Sequence, residues 1–325
     1  MKYYAVIVTY GDRFRYLKQV VDSLVEQGVE KIVIISNGSD KMSLIKIKKL
    51  KSELNCIHLI ILDKNTGSAN GFCVGIDFAH KSNADFIWLL DDDNYPKKDA
   101  LNFLTEAWID LAKEFENKKL ALLSYRNDRK IYSDAINLGK PNLMLGSQNS
   151  FLGFDFFIRL KKTLFKTTTK VLTKDQGVVA VAPYGGLFFH KDLVTEIGLP
   201  DKSYFLYGDD YEYTFRITKN NGKIVLIMKS EIKDLEKSFH LIKKGGILNT
   251  RYFNTESKDR IFYSVRNGII FEQNFVSNLL IYILNSFIYL TLVFVLMLLK
   301  PKQMWKFKYI IKGIFSAIKK SNDNL

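Results

Sequence analysis

Over the first hundred residues the hydrophobic pattern switches repeatedly between two periods. The runs "YYAVIVTY", "KIVIISNGS", "IHLIILDKNTGS" and "DFIWLLDDD" begin with β-branched and apolar residues and close in polar turn residues, which predicts four strands. Between them "RYLKQVVDSLVEQG", "MSLIKIKKLKSEL" and "NGFCVGIDFAHKS" space their apolar residues at helical intervals, the first closing on Gly28. Strand alternating with helix predicts an α/β chain, with a mostly parallel sheet covered by helices on both faces. Ligands of such sheets bind beyond the carboxyl ends of the strands. The loops "TYGD", "SNGS", "DKNTGSANG" and "DDDN" are therefore expected to converge on one crevice.

Beyond residue 99 a helix, "ALNFLTEAWIDLAKEF", leads into strand-like "LALLSY". The stretch "DFFIRLKKTLFKTTTKVLTKD" mixes Arg159 and several lysines with apolar residues, a pattern expected of a mobile basic loop, an interfacial hairpin or an ordinary solvated face. "GVVAVAPYGGLFFHKDLVTEIGLP" reads as strand, Gly-rich turn and helix, followed by the acidic "YGDDYEYTFR" and the strand "KIVLIM".

Near the end, residues 279–299 are uncharged and long enough to span a bilayer. The lysines that follow, in "KPKQMWKFKYIIKGIFSAIKK", would then lie across the membrane from a cytoplasmic domain, against the positive-inside tendency. This second piece reads as a basic amphipathic helix suited to an anionic headgroup layer. The expectation is a membrane-associated tail that does not span, with a buried core helix or an oligomer contact as the alternative.

Composition narrows the field only a little. The formal net charge of +14 over 325 residues points to an anionic partner, which could be nucleic acid, a nucleotide or a phospholipid surface. Two cysteines, Cys56 and Cys73, and a start without signal-peptide features lead us to expect a cytoplasmic location.

Candidate chemistry lies in the acids. Asp91, Asp92 and Asp93 follow five apolar residues, and three carboxylates at a buried strand end need a counter-charge. If strand alternation continues, Asp91 and Asp93 project together and Asp92 points away, and the pair suits a hard divalent cation such as Mg2+ or Mn2+. A solvated acidic turn is the alternative. Asp209, Asp210 and Glu212 open a predicted helix, where capping explains one carboxylate and a general base for an incoming hydroxyl explains another. His240 follows a strand and, taken alone, has no assigned role.

In order along the chain, "VIVTY", "NTGSANGF", "LLDDDN", "YGGLFF", "FLYGDDYEYTFR", "SFH" and "YSVRN" resemble glycosyltransferase family 2 with the GT-A fold, in the branch of bacterial galactofuranosyl- and rhamnosyltransferases. The resemblance runs from residue 6 to 267. It implies an inverting, metal-dependent hexosyltransferase using a UDP- or dTDP-linked sugar and a glycan or polyprenyl-linked acceptor in surface polysaccharide synthesis. Thr9 and Tyr10 would line the base pocket, Asn37 and Asn65 would lie near base and ribose, and Gly67 and Gly71 would let the backbone approach the nucleotide. Asp91, Asp93 and His240 would hold Mn2+ or Mg2+, Asp92 would face the ribose or donor sugar, and Asp210 would be the base. Tyr184, Gly185 and Gly186 would floor the pocket. Ser36, Ser68 and Asn70 depart from the family's usual residues. The expected organisation is a catalytic domain over 1–270, with a nucleotide half at 1–98 and an acceptor half at 99–270, then a tail over 271–325 on the cytoplasmic face of the inner membrane. A nucleotidyltransferase would add an Arg/Lys-bearing Gly-rich signature near its first strand, of which "TYGDRFRY" is a faint version. A basic nucleic-acid binder would lack the acidic crevice.

Overall fold

Strand β1 (Tyr3–Gly11) is buried along most of its length, as a central strand of "YYAVIVTYG" should be. The computed structural model describes residues 1–164, 173–236 and 254–322. After β1 come α1 (Phe14–Glu26), β2 (Lys31–Ser39), α2 (Lys41–Glu53), β3 (Ile57–Leu62), α3 (Gly67–Lys81) and β4 (Phe86–Asp91), the alternation the hydrophobic pattern predicts. Then follow β5 (Asn94–Pro96), α4 (Ala100–Leu111), β6 (Leu120–Tyr125), α5 (Lys130–Asn137), α6 (Phe156–Leu164), β7 (Gln176–Val179) and β8 (Leu187–His190). The remainder comprises α7 (Asp192–Ile197), α8 (Asp209–Lys219), β9 (Lys223–Asp234), α9 (Lys258–Glu272), α10 (Leu279–Leu298) and α11 (Met304–Asn322).

The chain divides into two units, and not at residue 270. The first comprises Met1–Met144, Leu172–Phe205 and Asp209–Ser238; the second comprises Leu145–Val171, Leu206–Gly208 and Phe239–Leu325.

In the first unit the sheet runs β3-β2-β1-β4-β8-β6-β9-β5, with β7 on β9. Pairings among β1 to β4 are parallel, whereas β8 runs antiparallel to both β4 and β6. Alternation along each strand sends side chains to two cores. Val6, Val8, Val33, Ile35, Ile87 and Leu89 pack with Phe72 and Ile76 of α3. Ala5, Ile7, Ile32, Ile34, Trp88 and Leu90 pack with Leu17, Val20, Val21 and Leu24 of α1. Gly71 and Gly75, one helical turn apart, let α3 lie close on β1. A Cβ on Gly71 would stand 2.7 Å from Val8 and one on Gly75 2.3 Å from Val6, so Gly71 serves helix-to-sheet packing, not the approach to a nucleotide expected of it.

The second unit has its own apolar core. Ile261, Val265 and Ile269 of α9 pack with Tyr289, Val293 and Met297 of α10, Ile310 and Ala317 of α11, and Phe151 and Phe154. The tail is thus part of a folded unit and not an appendage. The basic stretch expected as a loop or hairpin begins as α6, and its residues 165–172 lie outside the described ones.

Candidate active site

Parallel register brings the carboxyl ends of β1, β2, β3 and β4 to one edge. Val8 pairs with Asp91, Thr9 with Ser36, and Asn37 with Leu62. The loops expected to converge therefore do so, as strand direction requires.

At this edge the three aspartates find a counter-charge within the chain. Arg13, just before α1, places Nε 2.8 Å from Asp92 Oδ1 and Nη2 3.3 Å from Asp93 Oδ2, and Nη1 2.5 Å from Glu236. Burial alone would lower the Arg13 pKa, but the carboxylates around it raise it well above its ordinary value. Thr9 Oγ1 also donates to Asp92 Oδ2, at 2.7 Å. Asp92 is therefore buried and saturated beneath the edge, while Tyr10 beside it is exposed. Strand alternation stops with β4 at Asp91; Asp92 and Asp93 lie in the turn to β5, and Arg13 touches both. The separation of Asp92 from Asp93 is thus less complete than strand geometry predicts.

A second cation lies below. Register between β5 and β9 sets Asn94 opposite Asp234, and Asn94 Nδ2 donates to Asp234 Oδ1 at 2.9 Å. Asn94 Oδ1 accepts from the Asp91 amide and so shapes the acidic turn. Arg126, at the end of β6, pairs with Asp234 at 3.2 Å, both nearly inaccessible to water, and donates to the Gly185 carbonyl at 3.0 Å. Gly185 has no room for a side chain, since a Cβ would stand 1.9 Å from Asn94 Oδ1 and 2.5 Å from Arg126 Nη2.

Asp91 and Asp93 are the carboxylates that could hold an added cation. Burial raises both carboxyls, and repulsion from Asp91 and Asp92 helps push Asp93 up to about 7. Hard carboxylate oxygens held in this state fit a divalent ion, which would favour their ionised forms. His240 lies outside the described residues, and no cluster of three metal-ligating side chains forms among those described.

On the other side of the edge Asn37 builds a loop. Its Oδ1 accepts from the Thr66 amide and hydroxyl at 2.8 and 2.9 Å, and its Nδ2 donates to the Gly67 carbonyl at 2.9 Å. Asn65 Oδ1 accepts from the Gly67 amide at 2.9 Å, with the residue itself exposed. Asn37 is thus buried under the loop that presents Asn65. Gly67 has φ +84°, and a Cβ there would stand 2.0 Å from the Phe205 carbonyl oxygen. The close backbone approach that requires this glycine is the protein's own. Asn70 donates to Thr66 Oγ1 at 2.8 Å, bracing the loop from within α3.

Helix α8 starts on Asp209 and Asp210, where the helix dipole favours negative charge. Asp209 is buried and accepts from Ser68 Oγ at 2.7 Å, so one departure from the family pattern contacts the acidic pair directly. Asp210 is less enclosed. Burial raises both carboxyls; Asp91 raises Asp210 further, whereas the Tyr211 amide and Arg126 hold it down. Asp210 thus shares its electrostatic field with Asp91 and Arg126, and a carboxyl raised by burial in this way is of the kind that can act as a base. Tyr184 is a wall of this region: buried, tilted by 32° against Phe72 with ring centroids 4.2 Å apart, and donating to the Asp209 carbonyl at 3.2 Å.

Reading the sequence did not find Arg13, Asn94, Arg126 or Asp234. A usable signal was present for two of them, since "YGDRF" and "SYRND" each set an arginine just beyond a buried strand. Asp234 offered none, because the pairing of β5 with β9 has no local signature.

Residues 4–116 match the family Glycosyl transferase family 2. The dTDP-rhamnosyl transferase RfbF of Shigella flexneri is 24% identical over 319 residues, spanning 97% of this chain and 94% of that protein. A crystal structure of GalNAc-T7 with UDP, GalNAc and Mn2+ superposes with a TM-score of 0.53 at 15% identity, covering 73% of this chain and 44% of that one. That likeness bears on the fold alone. With residues 4–116 matching Glycosyl transferase family 2 from β1 past the acidic turn, and a rhamnosyl transferase relative aligned along nearly the whole length, the chain is a glycosyltransferase with a GT-A-like fold.

Proposed function

We propose that this enzyme transfers a hexose with inversion from a nucleotide sugar to a glycan or polyprenyl-linked acceptor in bacterial surface polysaccharide synthesis, with Asp210 as general base. The observation that carries the reading is the placement of Asp210 at the start of α8, within the field of Asp91 and Arg126. In a single displacement, Asp210 accepts the proton of the acceptor hydroxyl as its oxygen bonds to the anomeric carbon. The bond to the nucleoside diphosphate breaks on the opposite face. One base without a second covalent nucleophile leaves the anomeric configuration inverted. Tyr10 and Asn65, exposed at the edge, would contact the nucleotide, above the scaffold made by Thr9, Asn37, Gly67 and Asp92. Asp91 and Asp93 would hold Mn2+ or Mg2+, with His240 as a further ligand. Such an ion supplies charge stabilisation to the departing diphosphate.

The relative's dTDP-rhamnose chemistry makes a dTDP-linked donor the first choice, with UDP-linked galactofuranose the next. The test is a transfer and hydrolysis screen over dTDP-, UDP- and GDP-sugars, each with EDTA and with Mn2+ or Mg2+ restored. Turnover of one donor, abolished by chelation, is expected. Nucleotide-sugar synthesis from a sugar phosphate, or full transfer in chelator, would overturn the corresponding part.

The second unit supports a place on the cytoplasmic membrane surface. Helix α10 is long and apolar, with mean hydropathy 2.4. Only one stripe, Asn285, Tyr289, Val293 and Met297, is buried, while Leu280, Phe287 and Leu299 are 79%, 68% and 74% exposed. Because that stripe packs on the unit along much of the helix, an in-plane seat suits it better than a lone crossing. Phe156, Phe157 and Leu160 of α6 are exposed as well, beside Arg159 and Lys161, a composition suited to an anionic lipid interface.

A further inference from the structure

Residues 205–208, "FLYG", lead directly into Asp209 and Asp210 and have an unusual backbone. Phe205 has φ +60° and ψ −64°, Tyr207 has φ +66° and Gly208 φ +77°. Large side chains disfavour positive φ, so such a segment persists only where surrounding contacts over-determine it. Within the first unit, the Phe205 carbonyl accepts from the Ala69 amide at 3.3 Å and from Ser68 Oγ at 3.5 Å. Within the second, the next two carbonyls meet one side chain: Asn267 Nδ2 donates to Leu206 O at 2.9 Å and to Tyr207 O at 2.8 Å. Asn267 lies on α9 and is fully buried. Its orientation is fixed by the preceding residue, since Arg266 Nη1 donates to Asn267 Oδ1 at 2.8 Å and thereby keeps both amide protons turned toward the carbonyls.

We infer that Asn267, oriented by Arg266, is a positioning residue that clamps Leu206 and Tyr207 so that Asp210 is aimed for proton transfer. Two hydrogen bonds from one planar amide to successive carbonyls fix the dihedral angles between them. The carboxylate lies three residues further along, with Gly208 between. An error in the clamp is therefore passed to the base as a displacement, and about 1 Å of misplacement can cost roughly a hundredfold in rate. The inference rests on the reading of Asp210 as base.

The test compares Asn267→Ala with the parent enzyme in full-length protein, after thermal melting has shown that it folds. The expected result is kcat down by about ten- to a hundredfold with KM for the donor within about twofold, since the clamp acts on geometry and not on donor contacts. In the Asp210→Asn background the same substitution should cost nothing more, because the group it aims is gone. Adding Tyr207→Gly to Asn267→Ala should restore part of kcat, since glycine adopts positive φ without the clamp. If Asn267→Ala fails to fold, Arg266→Gln decides, with a smaller kcat loss of the same kind expected. Losses that fall equally on kcat and KM, that persist unchanged in the Asp210→Asn background, or that glycine does not relieve overturn the clamp while leaving the base intact. A fully active Asp210→Asn enzyme overturns the base itself.

Discussion

Arg13 Nε stands 2.8 Å from the Asp92 carboxylate, with the two side chains 13% and 3% exposed. Such a pair is hard to break, because either partner left alone is a buried charge. Arg13→Met is expected to destabilise the first unit by about 3–5 kcal/mol in denaturant unfolding. Arg13→Lys should lie between, keeping the charge but losing the fork that reaches Asp92, Asp93 and Glu236 together. A neutral result for Arg13→Met would mean that Asp92 is stabilised by Thr9 alone.

Asp210 gives a pH signature. Burial, with the nearby Asp91, holds its carboxyl above the ordinary carboxylate range. A base works only when ionised, so kcat/KM should fall as pH drops through that raised pKa and stay level above it. Asp210→Asn should remove this acid limb and reduce kcat by about two to four decades, with donor affinity nearly unchanged. The checks are a pH–rate profile and donor binding by calorimetry; an intact acid limb in the variant would move the role to Asp209 or Glu212.

How much of this was open to reading from the chain alone differs from one part to another. Strands β1 to β4 and their helices were legible because period and turn chemistry are local. The meeting of Thr9, Asn37 and Asp91 at one edge followed from parallel strand direction. Asp92 was harder: its partner Arg13 is 79 residues away, and the Thr9 hydroxyl that it accepts is 83 away. A packing role for Gly67 was hidden for a similar reason, since the carbonyl that crowds it belongs to Phe205. Hydrophobicity alone could not show that α10 shares a core with α9 and Phe151, because an apolar helix has the same composition whether one side or all sides are exposed.

Gly67 supplies a prediction that separates these two ideas of its use. Gly67→Ala should cost at least about 1–3 kcal/mol, through the strained φ and the clash with Phe205 O, measurable without any nucleotide present. A variant as stable as the parent but weak in donor binding would return the glycine to the nucleotide.

The membrane placement can be tested without deleting a helix that fills a core. Leu280→Glu with Phe287→Glu changes only exposed positions of α10, so melting should be little altered. Flotation with vesicles containing phosphatidylglycerol should recover the parent enzyme and leave the double variant behind, and high salt should loosen the parent only in part. Equal recovery of both proteins would rule out this face as the anchor.

Asn285 gives that face a fixed bearing. Its Nδ2 donates to the Asn149 carbonyl at 2.8 Å and its Oδ1 accepts from the Phe156 amide at 3.0 Å. Turning α10 by a single residue, about 100°, would leave this amide stranded among hydrocarbon side chains, so the helix is keyed against rolling. On a lipid surface the apolar residues would decide how firmly the protein holds. One polar residue in their midst would decide which side of the helix meets the lipid.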